Sequence, residues 1–574
     1  MRILLLSSAY NGLTQRAHLE LKALGHKISV ELALSDKIIR EGVKLFKPDL
    51  IICPFLKDVI PTDIWRNYLC IIIHPGVKGD RGPSSMDWAI MNQEEKWGVT
   101  ALKAVEEMDA GDIWSSYTFE RRDICKARMY RHEITEGGIQ IILDTVKHFD
   151  SKTFLPEQLD YSKEDVKGKK RPLMTQSVRA IDWKNDLTDT IINKIYTADN
   201  HPGVLDTIYN EEYYMFGAHR EWNIRGKNPG EIIAQRHGAI CRATVDGAVW
   251  ISHLRKKKVG EQIHFKLPAT MALGKKVKKV PESSIDLLYT GPTDTFSEIW
   301  YKEKDEVGYL FFDFYNGAMG TEQCIRLKEA FLEAQKQKTK VIILSCGMDF
   351  WSNGIHLNTI EYAKNPADES WKNINAIDDL IHVIITTETH LTIAGMLGNA
   401  GAGGVTLAAA FDKTYARAGV VLNPHYKSMG LYGSEYWTYL LPKKVGKKKA
   451  IELTDNCLPI STQEALSMGL IDGLIYDSGF NFHRDISRIA TEMAHSPDFK
   501  KQLAKKKKKR ELDEKKKPLA KYRAEELTEM KKNFYDPKHC YPNICDNYHI
   551  LRSNFVYKVP VEKTPLRIAK HRQK

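Results

Sequence analysis

The sequence contains little cysteine, and no two cysteines form a Cys-x-x-Cys pair. There are nine cysteines in 574 residues, and the two that lie closest together are Cys540 and Cys545. This spacing excludes a disulfide framework and a zinc ribbon, and it indicates free thiols in a reducing compartment. The sequence also has no His-Glu-x-x-His motif, which a helix-borne zinc site requires. We therefore expect no bound metal.

Long apolar runs are lacking as well. None approaches the roughly 18 residues that a membrane-spanning helix needs. The apolar start, Arg2–Leu6, is too short for a signal peptide and is typical of a buried first strand. Apolar residues at 43% and charged residues at 28% exclude global disorder and a collagen-like structure. We expect a cytoplasmic protein with no membrane partner.

Positive charge is present in excess, and it is concentrated near the C-terminus. The formal net charge is +12, and residues 500–532 contain 15 Lys or Arg against 6 Asp or Glu, while residues 562–574 contain 5 against 1. A basic tail suggests nucleic-acid binding. Mostly helical spacing, however, separates the apolar residues Leu519, Tyr522, Leu527, Met530 and Phe534. That spacing predicts a helix packed on the protein with its charges in solvent, so we expect no nucleic-acid partner.

The first 150 residues alternate short apolar runs with helical stretches. The candidate strands are Arg2–Leu6, Lys27–Leu32, Leu50–Cys53 and Cys70–Ile73. Runs of four or five apolar residues without polar alternation are typical of a parallel sheet that is covered on both faces. The pattern therefore predicts a doubly wound α/β domain.

Two further regions follow, separated by lysine-rich linkers. Residues 174–275 contain short strands and turns, which predict a small β-rich domain. From residue 296 the α/β pattern returns, with a strand at Val307–Tyr315, a helix near Thr321–Lys336 and a strand at Val341–Ser345. A longer helix follows, whose apolar stripe consists of Ile374, Ile377, Ile381 and Ile384.

A histidine follows the fourth candidate strand, in the turn His74-Pro75-Gly76. Ligands of open α/β sheets bind at the carboxyl ends of the strands. About 35 residues later, Asp109 stands in the turn Asp109-Ala110-Gly111. A histidine paired with a carboxylate moves a proton during acyl transfer at neutral pH. His74 and Asp109 are thus candidates for a catalytic pair, although a histidine before Pro-Gly is by itself more often a turn residue than a catalyst.

These residues resemble the motifs of the folate-dependent formyltransferases, which include methionyl-tRNA and glycinamide-ribonucleotide formyltransferases. The matching residues are His74, Pro75, Arg81, Gly82 and the turn that begins at Asp109. The resemblance covers residues 1–275 and implies 10-formyltetrahydrofolate as formyl donor. It places the folate side at Ile72, Arg81, Gly82 and Asp112. The family's asparagine, which helps to polarise the formyl oxygen, falls on Ile72, and its loss slows acyl transfer by about one to three orders of magnitude unless another donor replaces it.

The C-terminal half contains two glycine-rich turns, within Ser345–Leu357 and Leu391–Ala408. Such turns let backbone N–H groups approach a ligand and face a developing negative charge. They resemble the crotonase (enoyl-CoA hydratase/isomerase) superfamily over residues 296–480. The resemblance implies coenzyme A as ligand, oxyanion N–H groups at Ile355 and Gly403, and a CoA side that includes Gly354, Gly404, Tyr432 and Ser434.

Hydratase chemistry does not follow from this resemblance. One catalytic glutamate of the superfamily falls on Thr406, and the other falls near His425-Tyr426. Hydration needs an acid and a base across a double bond, and both positions are changed. New polar groups appear nearby, and we predict Glu435 and Tyr439 as the residues that move a proton.

The combination of the two halves resembles the HypX (HoxX) family of hydrogenase maturation factors. Its motifs His-Pro-Gly-x-Lys-Gly-Asp-Arg-Gly and Gly-Ser-Glu-Tyr-Trp-Thr begin at His74 and Gly433. The resemblance implies formyl transfer to CoA, decarbonylation of formyl-CoA to CO, and partners in [NiFe]-hydrogenase assembly. It also implies an α/β fold with domains at 1–170 (formyltransferase-like), 174–275 (small, OB-like β-domain), 290–490 (crotonase-like) and 491–574 (basic helical extension).

Three alternatives remain open at the level of the sequence. The first is a formyltransferase acting on an amine of an amino sugar or tRNA, fused to an acyl-CoA hydrolase-like domain. The second is a nucleic-acid-binding protein, which the basic tail suggests. The third is a non-catalytic assembly scaffold, suggested by the altered positions Ile72 and Thr406.

Overall fold

The computed structural model describes residues 1–536 apart from 261, 263, 428, 429 and 477–480. The predictions for Cys540, Cys545 and residues 562–574 therefore lie outside the described residues. The described chain divides into two compact units, residues 1–283 and residues 284–536. Each unit has its own apolar core.

The first unit begins with a six-stranded sheet in the order β2-β1-β3-β4-β5-β6. Its strands are β1 Arg2–Ser7, β2 Lys27–Leu32, β3 Leu50–Cys53, β4 Cys70–His74, β5 Lys96–Lys103 and β6 Ile113–Glu120. The first four are parallel, as predicted, and β5 and β6 extend the sheet in antiparallel pairing. The sequence-based interpretation did not include these two strands.

Helices accompany this sheet, and their bounds are α1 Gly12–Ala23, α2 Asp36–Phe46, α3 Thr62–Asn67, α4 Ser85–Met91, α5 Lys126–Met129 and α6 Thr135–Asp150, with a π-helical turn at Tyr130–Ile134. Strand residues alternate between the faces, so Leu4 and Leu6 join the core that contains Ile39 and Val43 of α2. Asn11 and Ser35 cap α1 and α2 by accepting backbone N–H groups of the first turns. The α/β class predicted for this region is confirmed.

A small antiparallel β-sheet forms the rest of the first unit, in the order β7-β8-β11-β10-β9 with β12 beside β11. Its elements are α7 Thr188–Ala198, β7 Val204–Ile208, β8 Glu211–Glu221, β9 Ile232–Arg236, β10 Ala239–Ala243, β11 Ala248–Lys256, β12 Leu267–Pro268 and α8 Ala269–Leu273, followed by a 3-10 turn at Gly274–Val277. Ile191 and Ile195 of α7 pack on the sheet through Val249 and Ile251. The small β-rich domain is therefore present.

The second unit contains two sheets, ordered β13-β14-β15-β17-β19-β22 and β16-β18-β20-β21. The strands are β13 Ile299–Lys304, β14 Val307–Phe312, β15 Val341–Cys346, β16 Phe350–Ser352, β17 Leu391–Met396, β18 Asn399–Gly401, β19 Lys413–Arg417, β20 Val421–Asn423, β21 Ile460–Ser461 and β22 Gly473–Ile475. The predicted strand Val307–Tyr315 ends at Phe312, because a 3-10 turn occupies Tyr315–Gly317.

Ten helices of the second unit are described, and the first eight are α9 Thr321–Ala334, α10 Leu357–Tyr362, α11 Pro366–Ile385, α12 Gly403–Ala409, α13 Trp437–Val445, α14 Lys447–Asn456, α15 Thr462–Ser467 and α16 Phe482–Ala494. The isoleucine stripe of α11 is buried, as its spacing predicts. This helix supplies a large part of the unit's core.

The basic segment forms two helices, α17 Phe499–Lys516 and α18 Leu519–Tyr535, separated at Pro518. Leu519, Met530 and Phe534 of α18 are buried in the core of the second unit, which confirms the predicted packing. In contrast, α17 has no fully buried residue. Among the described residues, no helix has the length and apolarity to cross a membrane, and no group of three or more His, Cys, Asp or Glu is arranged to hold a metal ion.

Candidate active sites

His74 is the last residue of β4 and stands at the carboxyl end of the parallel strands. Its side chain is buried. The chain then turns sharply at Pro75-Gly76, and a Cβ on Gly76 would overlap both the His74 ring and the Asp80 carboxylate. Glycine is therefore required for the turn to fold back onto the histidine.

Two carboxylates flank the His74 ring. Its Nε2 lies 3.0 Å from Oδ2 of Asp80, and its Nδ1 lies 3.5 Å from Oδ1 of Asp109. Burial lowers the pKa of His74, but the hydrogen bond with Asp80 and the charges of Asp109 and Asp80 outweigh it and raise the pKa above its usual value. The predicted His74–Asp109 pair is thus brought together, with a second carboxylate on the opposite nitrogen.

Asp109 is held by the loop that contains Arg81 and Gly82. The Gly82 N–H donates to Oδ2 of Asp109 over 3.1 Å, which directs Oδ1 toward His74. Gly82 has a φ of +120°, and a Cβ there would overlap the Arg171 carbonyl. The Arg81 guanidinium donates to the Met108 carbonyl over 3.1 Å and pairs with Glu107. Both predicted residues therefore orient the turn that carries Asp109.

The other two predicted folate-side positions differ in character. Ile72 lies two residues before His74 on β4 and packs against the apolar cluster that includes Cys53 and Cys70. The backbone carbonyl of Asp112 accepts the Lys103 N–H over 3.0 Å and so fixes the edge of the turn. A folate contact at either position remains a prediction.

The two glycine-rich turns of the second unit meet at Gly354 and Gly403. Gly354 has a φ of +75°, and a Cβ there would lie 3.4 Å from the Gly403 nitrogen. A Cβ on Gly404 would overlap the Ser352 carbonyl, so the two backbones approach closely here. This contact brings the predicted oxyanion positions, Ile355 and Gly403, into one region.

Glu435 lies against Gly403. Its side chain is buried, and a Cβ on Gly403 would overlap the Glu435 carboxyl group. Burial and the charge of Asp378 raise the pKa of Glu435 to about 8, although hydrogen bonds from the Ser434 N–H and from Tyr426 lower it. The predicted proton-moving residue is therefore a largely protonated acid at neutral pH, placed at the glycine-rich turn.

The two positions where crotonases carry glutamates contact each other. The hydroxyl groups of Thr406 and Tyr426 lie 2.6 Å apart. Tyr426 also bonds to Glu435, and burial raises its pKa well above the usual value. His425, beside it, is half-buried, and desolvation lowers its pKa to about 4. The two hydratase glutamates are thus replaced by a pair of hydroxyl groups, and one of these, the Tyr426 hydroxyl, is hydrogen-bonded to the carboxyl group of Glu435.

The remaining predicted residues, Tyr432, Ser434 and Tyr439, form hydrogen bonds with residues of neighbouring helices. The Ser434 hydroxyl donates to Asp378 over 2.6 Å, and the Tyr432 N–H donates to Asn533 over 2.9 Å. The Tyr439 hydroxyl donates to Asp513 of α17 over 3.0 Å and receives a hydrogen bond from Arg510. Tyr439 therefore faces α17, and its catalytic role, like the CoA contacts of Ser434 and Tyr432, remains a prediction.

Comparisons with known proteins agree with this arrangement. Residues 316–539 match the family model of enoyl-CoA hydratase/isomerase, and residues 173–263 match that of the formyl transferase C-terminal domain. Hydrogenase maturation factor HoxX from Bradyrhizobium diazoefficiens is 44% identical over 575 residues, which cover 100% of this chain and 97% of that protein. The chain belongs to the HoxX/HypX family of hydrogenase maturation factors.

Structural similarity to this family extends over the whole chain. HypX from Aquifex aeolicus, solved in complex with tetrahydrofolic acid, has a TM-score of 0.92 and 45% identity, and the match covers 100% of this chain and 99% of that one. Methionyl-tRNA formyltransferase from Bacillus subtilis is 22% identical over 252 residues, 42% of this chain and 77% of that protein. The predicted HoxX/HypX family and the predicted fold class are confirmed, and the two regions support an enzyme.

In this HoxX/HypX member, sequence reasoning missed three carboxylates. Asp80 belongs to the same motif as His74, and it also accepts a hydrogen bond from Ser85 over 2.5 Å. Asp378 and Glu526 are wholly buried beside the Glu435 segment. Asp378 and Glu526 both stand at helical spacing within an apolar stripe, since Asp378 is four residues after Ile374 and Glu526 is four residues before Met530. An acidic residue on the apolar face of a helix is the signal that identifies them.

Proposed function

We propose that this protein makes carbon monoxide for [NiFe]-hydrogenase maturation in two steps. The first step transfers the formyl group of 10-formyltetrahydrofolate to coenzyme A. The second step splits formyl-CoA into CO and free CoA. Support comes from the family to which the chain belongs, from the tetrahydrofolic acid in the Aquifex aeolicus structure, and from the geometry around His74 and Glu435.

In the first step, the CoA thiol is the nucleophile. His74 takes the thiol proton, and the thiolate forms a bond to the formyl carbon. The bond between this carbon and N10 of the folate then breaks, and His74 returns the proton to N10. Asp109 and Asp80 orient the ring and stabilise its charged form, because each faces one of its nitrogens. The products are tetrahydrofolate and formyl-CoA.

In the second step, the protonated Glu435 is the acid. It donates its proton to the sulfur as the carbon–sulfur bond breaks, and the resulting carboxylate takes the formyl proton. The electron pair of the carbon–hydrogen bond remains on carbon, which leaves as CO, and Glu435 regains its proton. The backbone N–H groups of Ile355 and Gly403 hold the formyl oxygen during this step.

One observation carries the second step: the Glu435 carboxyl lies against Gly403 while both crotonase glutamates are replaced by the Thr406–Tyr426 hydroxyl pair. A hydratase needs an acid and a base on separate residues. Decarbonylation needs one group that both gives and takes a proton, and a single buried carboxyl group meets this requirement.

The test supplies the full-length protein with 10-formyltetrahydrofolate and CoA and follows carbonylhaemoglobin by its absorption spectrum. We expect CO from the wild type and none from His74→Ala. With synthetic formyl-CoA instead, His74→Ala is expected to release CO and Glu435→Gln to lose about 10²-fold or more in rate.

Tyr439→Phe is the matched comparison in the formyl-CoA assay, since Tyr439 lies in the same segment and contacts α17. Absence of a carbonyl spectrum from the wild type overturns the proposal. Full CO release from Glu435→Gln overturns the proposed second step, and a loss of CO release in Tyr439→Phe alone assigns the proton transfer to Tyr439 instead. Formyl transfer without CoA favours instead an amine as the acceptor.

The same proposal includes the setting of the reaction. We place it in the cytoplasm, with the [NiFe]-hydrogenase assembly machinery as partner and no nucleic-acid or membrane partner. The proposed domains are residues 1–170, 174–275, 290–490 and 491–574. Folate and CoA are substrates in this scheme, and it requires no metal.

A further inference from the structure

The backbone that presents Glu435 has an unusual conformation. Glu435 and its neighbour Tyr436 have φ angles of +63° and +58°, so two consecutive residues with side chains are left-handed. This conformation costs free energy for any residue other than glycine, and it persists only where the surroundings fix it. The segment Ser434–Tyr436 must therefore be held from outside.

One of the groups that hold it is Asp378 of α11. Its Oδ1 accepts the Glu435 N–H over 2.8 Å, and both of its oxygens accept the Ser434 hydroxyl, over 2.6 and 2.7 Å. Asp378 is wholly buried, so these hydrogen bonds do not compete with water. They fix the residue that carries the catalytic carboxyl and the residue before it.

The other group is Glu526 of α18. Its Oε2 accepts the Tyr436 N–H over 2.9 Å, and its Oε1 accepts the Thr438 N–H over 2.8 Å together with the Thr438 hydroxyl. It is wholly buried as well. Asp378 and Glu526 thus bind four of the five residues of the segment Ser434–Thr438, from two different helices.

We infer that Asp378 and Glu526 are positioning residues that lock the Ser434–Thr438 segment so that the Glu435 carboxyl stays against Gly403. This inference rests on the proposed role of Glu435. It assigns α18, which lies within the region that matches enoyl-CoA hydratase/isomerase, a part in the second step that acts through the position of Glu435. Neither carboxylate touches the reacting atoms.

The same carboxylates set the charge around Glu435. The groups that face it are Asp378 of α11, Cys324 of α9, Tyr426, and Glu526 of α18, while Arg523 of α18 lies 3.7 Å from Asp378. Burial raises the pKa of Glu435 most, and the charge of Asp378 raises it further, to about 8. Burial likewise raises the pKa of Asp378, to about 6, so that Asp378 loses its proton before Glu435 and favours the protonated form of Glu435.

The experiment compares Asp378→Asn with Asp379→Asn in the full-length protein. Asparagine keeps an acceptor oxygen at position 378 but removes the charge. Asp379 is the neighbouring carboxylate on α11, is partly exposed and pairs with Arg523 over 2.7 Å. CO release from formyl-CoA is measured from pH 5 to 10, together with tetrahydrofolate formation in the first step.

Protonated Glu435 is the active form, so activity falls as pH rises through its pKa. We expect Asp378→Asn to move this midpoint to lower pH by about 0.5–1 unit and to converge with the wild type below pH 6. Asp379→Asn is expected to keep the wild-type midpoint, and both variants to keep the rate of tetrahydrofolate formation.

A wild-type midpoint together with a wild-type kcat for Asp378→Asn overturns the inference while leaving the proposed function intact. Full activity of Glu435→Gln overturns the proposed function instead, so the two failures are distinguishable. If Asp378→Asn does not fold, Glu526→Gln replaces it. It is expected to lower kcat about tenfold with little change in KM, and wild-type kcat in this variant contradicts the role of α18.

Discussion

At the scale of single residues, His74 of the proposed formyl-transfer site is unusual because a carboxylate faces each of its nitrogens. Asp80 lies 3.0 Å from Nε2, closer than Asp109 lies to Nδ1. A histidine that acts as base is active when neutral, so the rate of formyl transfer rises as pH rises through the pKa of His74. Burial lowers the pKa of His74, but the hydrogen bond with Asp80 raises it, so we expect Asp80 to move the acid limit of the proposed reaction to higher pH.

Asp80→Asn tests this relation. We expect the acid limb of kcat/KM for tetrahydrofolate formation to move to lower pH, because the raised pKa of His74 falls toward its usual value. Glu94→Gln is the matched control, since Glu94 pairs with Arg171 over 3.1 Å and not with His74. A pH profile that does not move in Asp80→Asn contradicts the role of Asp80 in holding the charged imidazole.

Residue types and spacing predict part of these sites. His74 and Asp109 are recognisable because each follows a strand or lies in a glycine turn, and Glu435 because it stands in a motif. Asp378 lies 57 positions before Glu435 in the chain, and Glu526 lies 90 positions after Tyr436. Pairing between such distant positions depends on how α11 and α18 pack, which single-sequence patterns do not encode.

At the scale of elements, apolar runs identify strands well where both faces are buried. The bounds of β2 and β3 agree with the predicted strands residue by residue. By contrast, β6 is mostly exposed or half-buried and has a polar sequence, Ile113–Glu120, so it lacks the continuous apolar run that marks the parallel strands. The two antiparallel strands β5 and β6 were missed, while the four parallel strands were found.

The first residue of the short helix α12 must be small, because it lies against the Glu435 carboxyl group. Gly403 begins this helix, and a Cβ there would overlap the Glu435 carboxyl. We expect Gly403→Ala to displace Glu435 and to lower CO release from formyl-CoA about 10²-fold.

Gly320→Ala is the control, because Gly320 is in the same unit and a Cβ there lies 3.3 Å from the flexible end of Gln323. It is expected to release CO at the wild-type rate. Wild-type activity in Gly403→Ala contradicts the placement of Glu435 at this turn. The two alanine variants are compared by the initial rate of carbonylhaemoglobin formation.

At the scale of the whole molecule, the chain contains two units with separate cores, and each holds one of the proposed sites. His74 and its two carboxylates belong to residues 1–283, and Glu435 with Asp378 and Glu526 belongs to residues 284–536. The positive charge that first suggested nucleic acid lies partly on α17 and α18. There, Lys506 is bonded to Asp412 over 2.6 Å and Arg523 to Asp379 over 2.7 Å, so some of this charge has a structural role.

Separate cores predict separate unfolding transitions, which differential scanning calorimetry resolves. A ligand that binds only the folded form stabilises its own unit, by about 2.7 kcal/mol at a concentration 100-fold above Kd. We expect tetrahydrofolate to raise the unfolding temperature of residues 1–283 and to leave the unfolding temperature of residues 284–536 unchanged. Asp378→Ala is expected to lower only the unfolding temperature of residues 284–536, because it leaves the buried Ser434 hydroxyl and Glu435 N–H without an acceptor. A single transition that both changes shift alike contradicts the independence of the two cores.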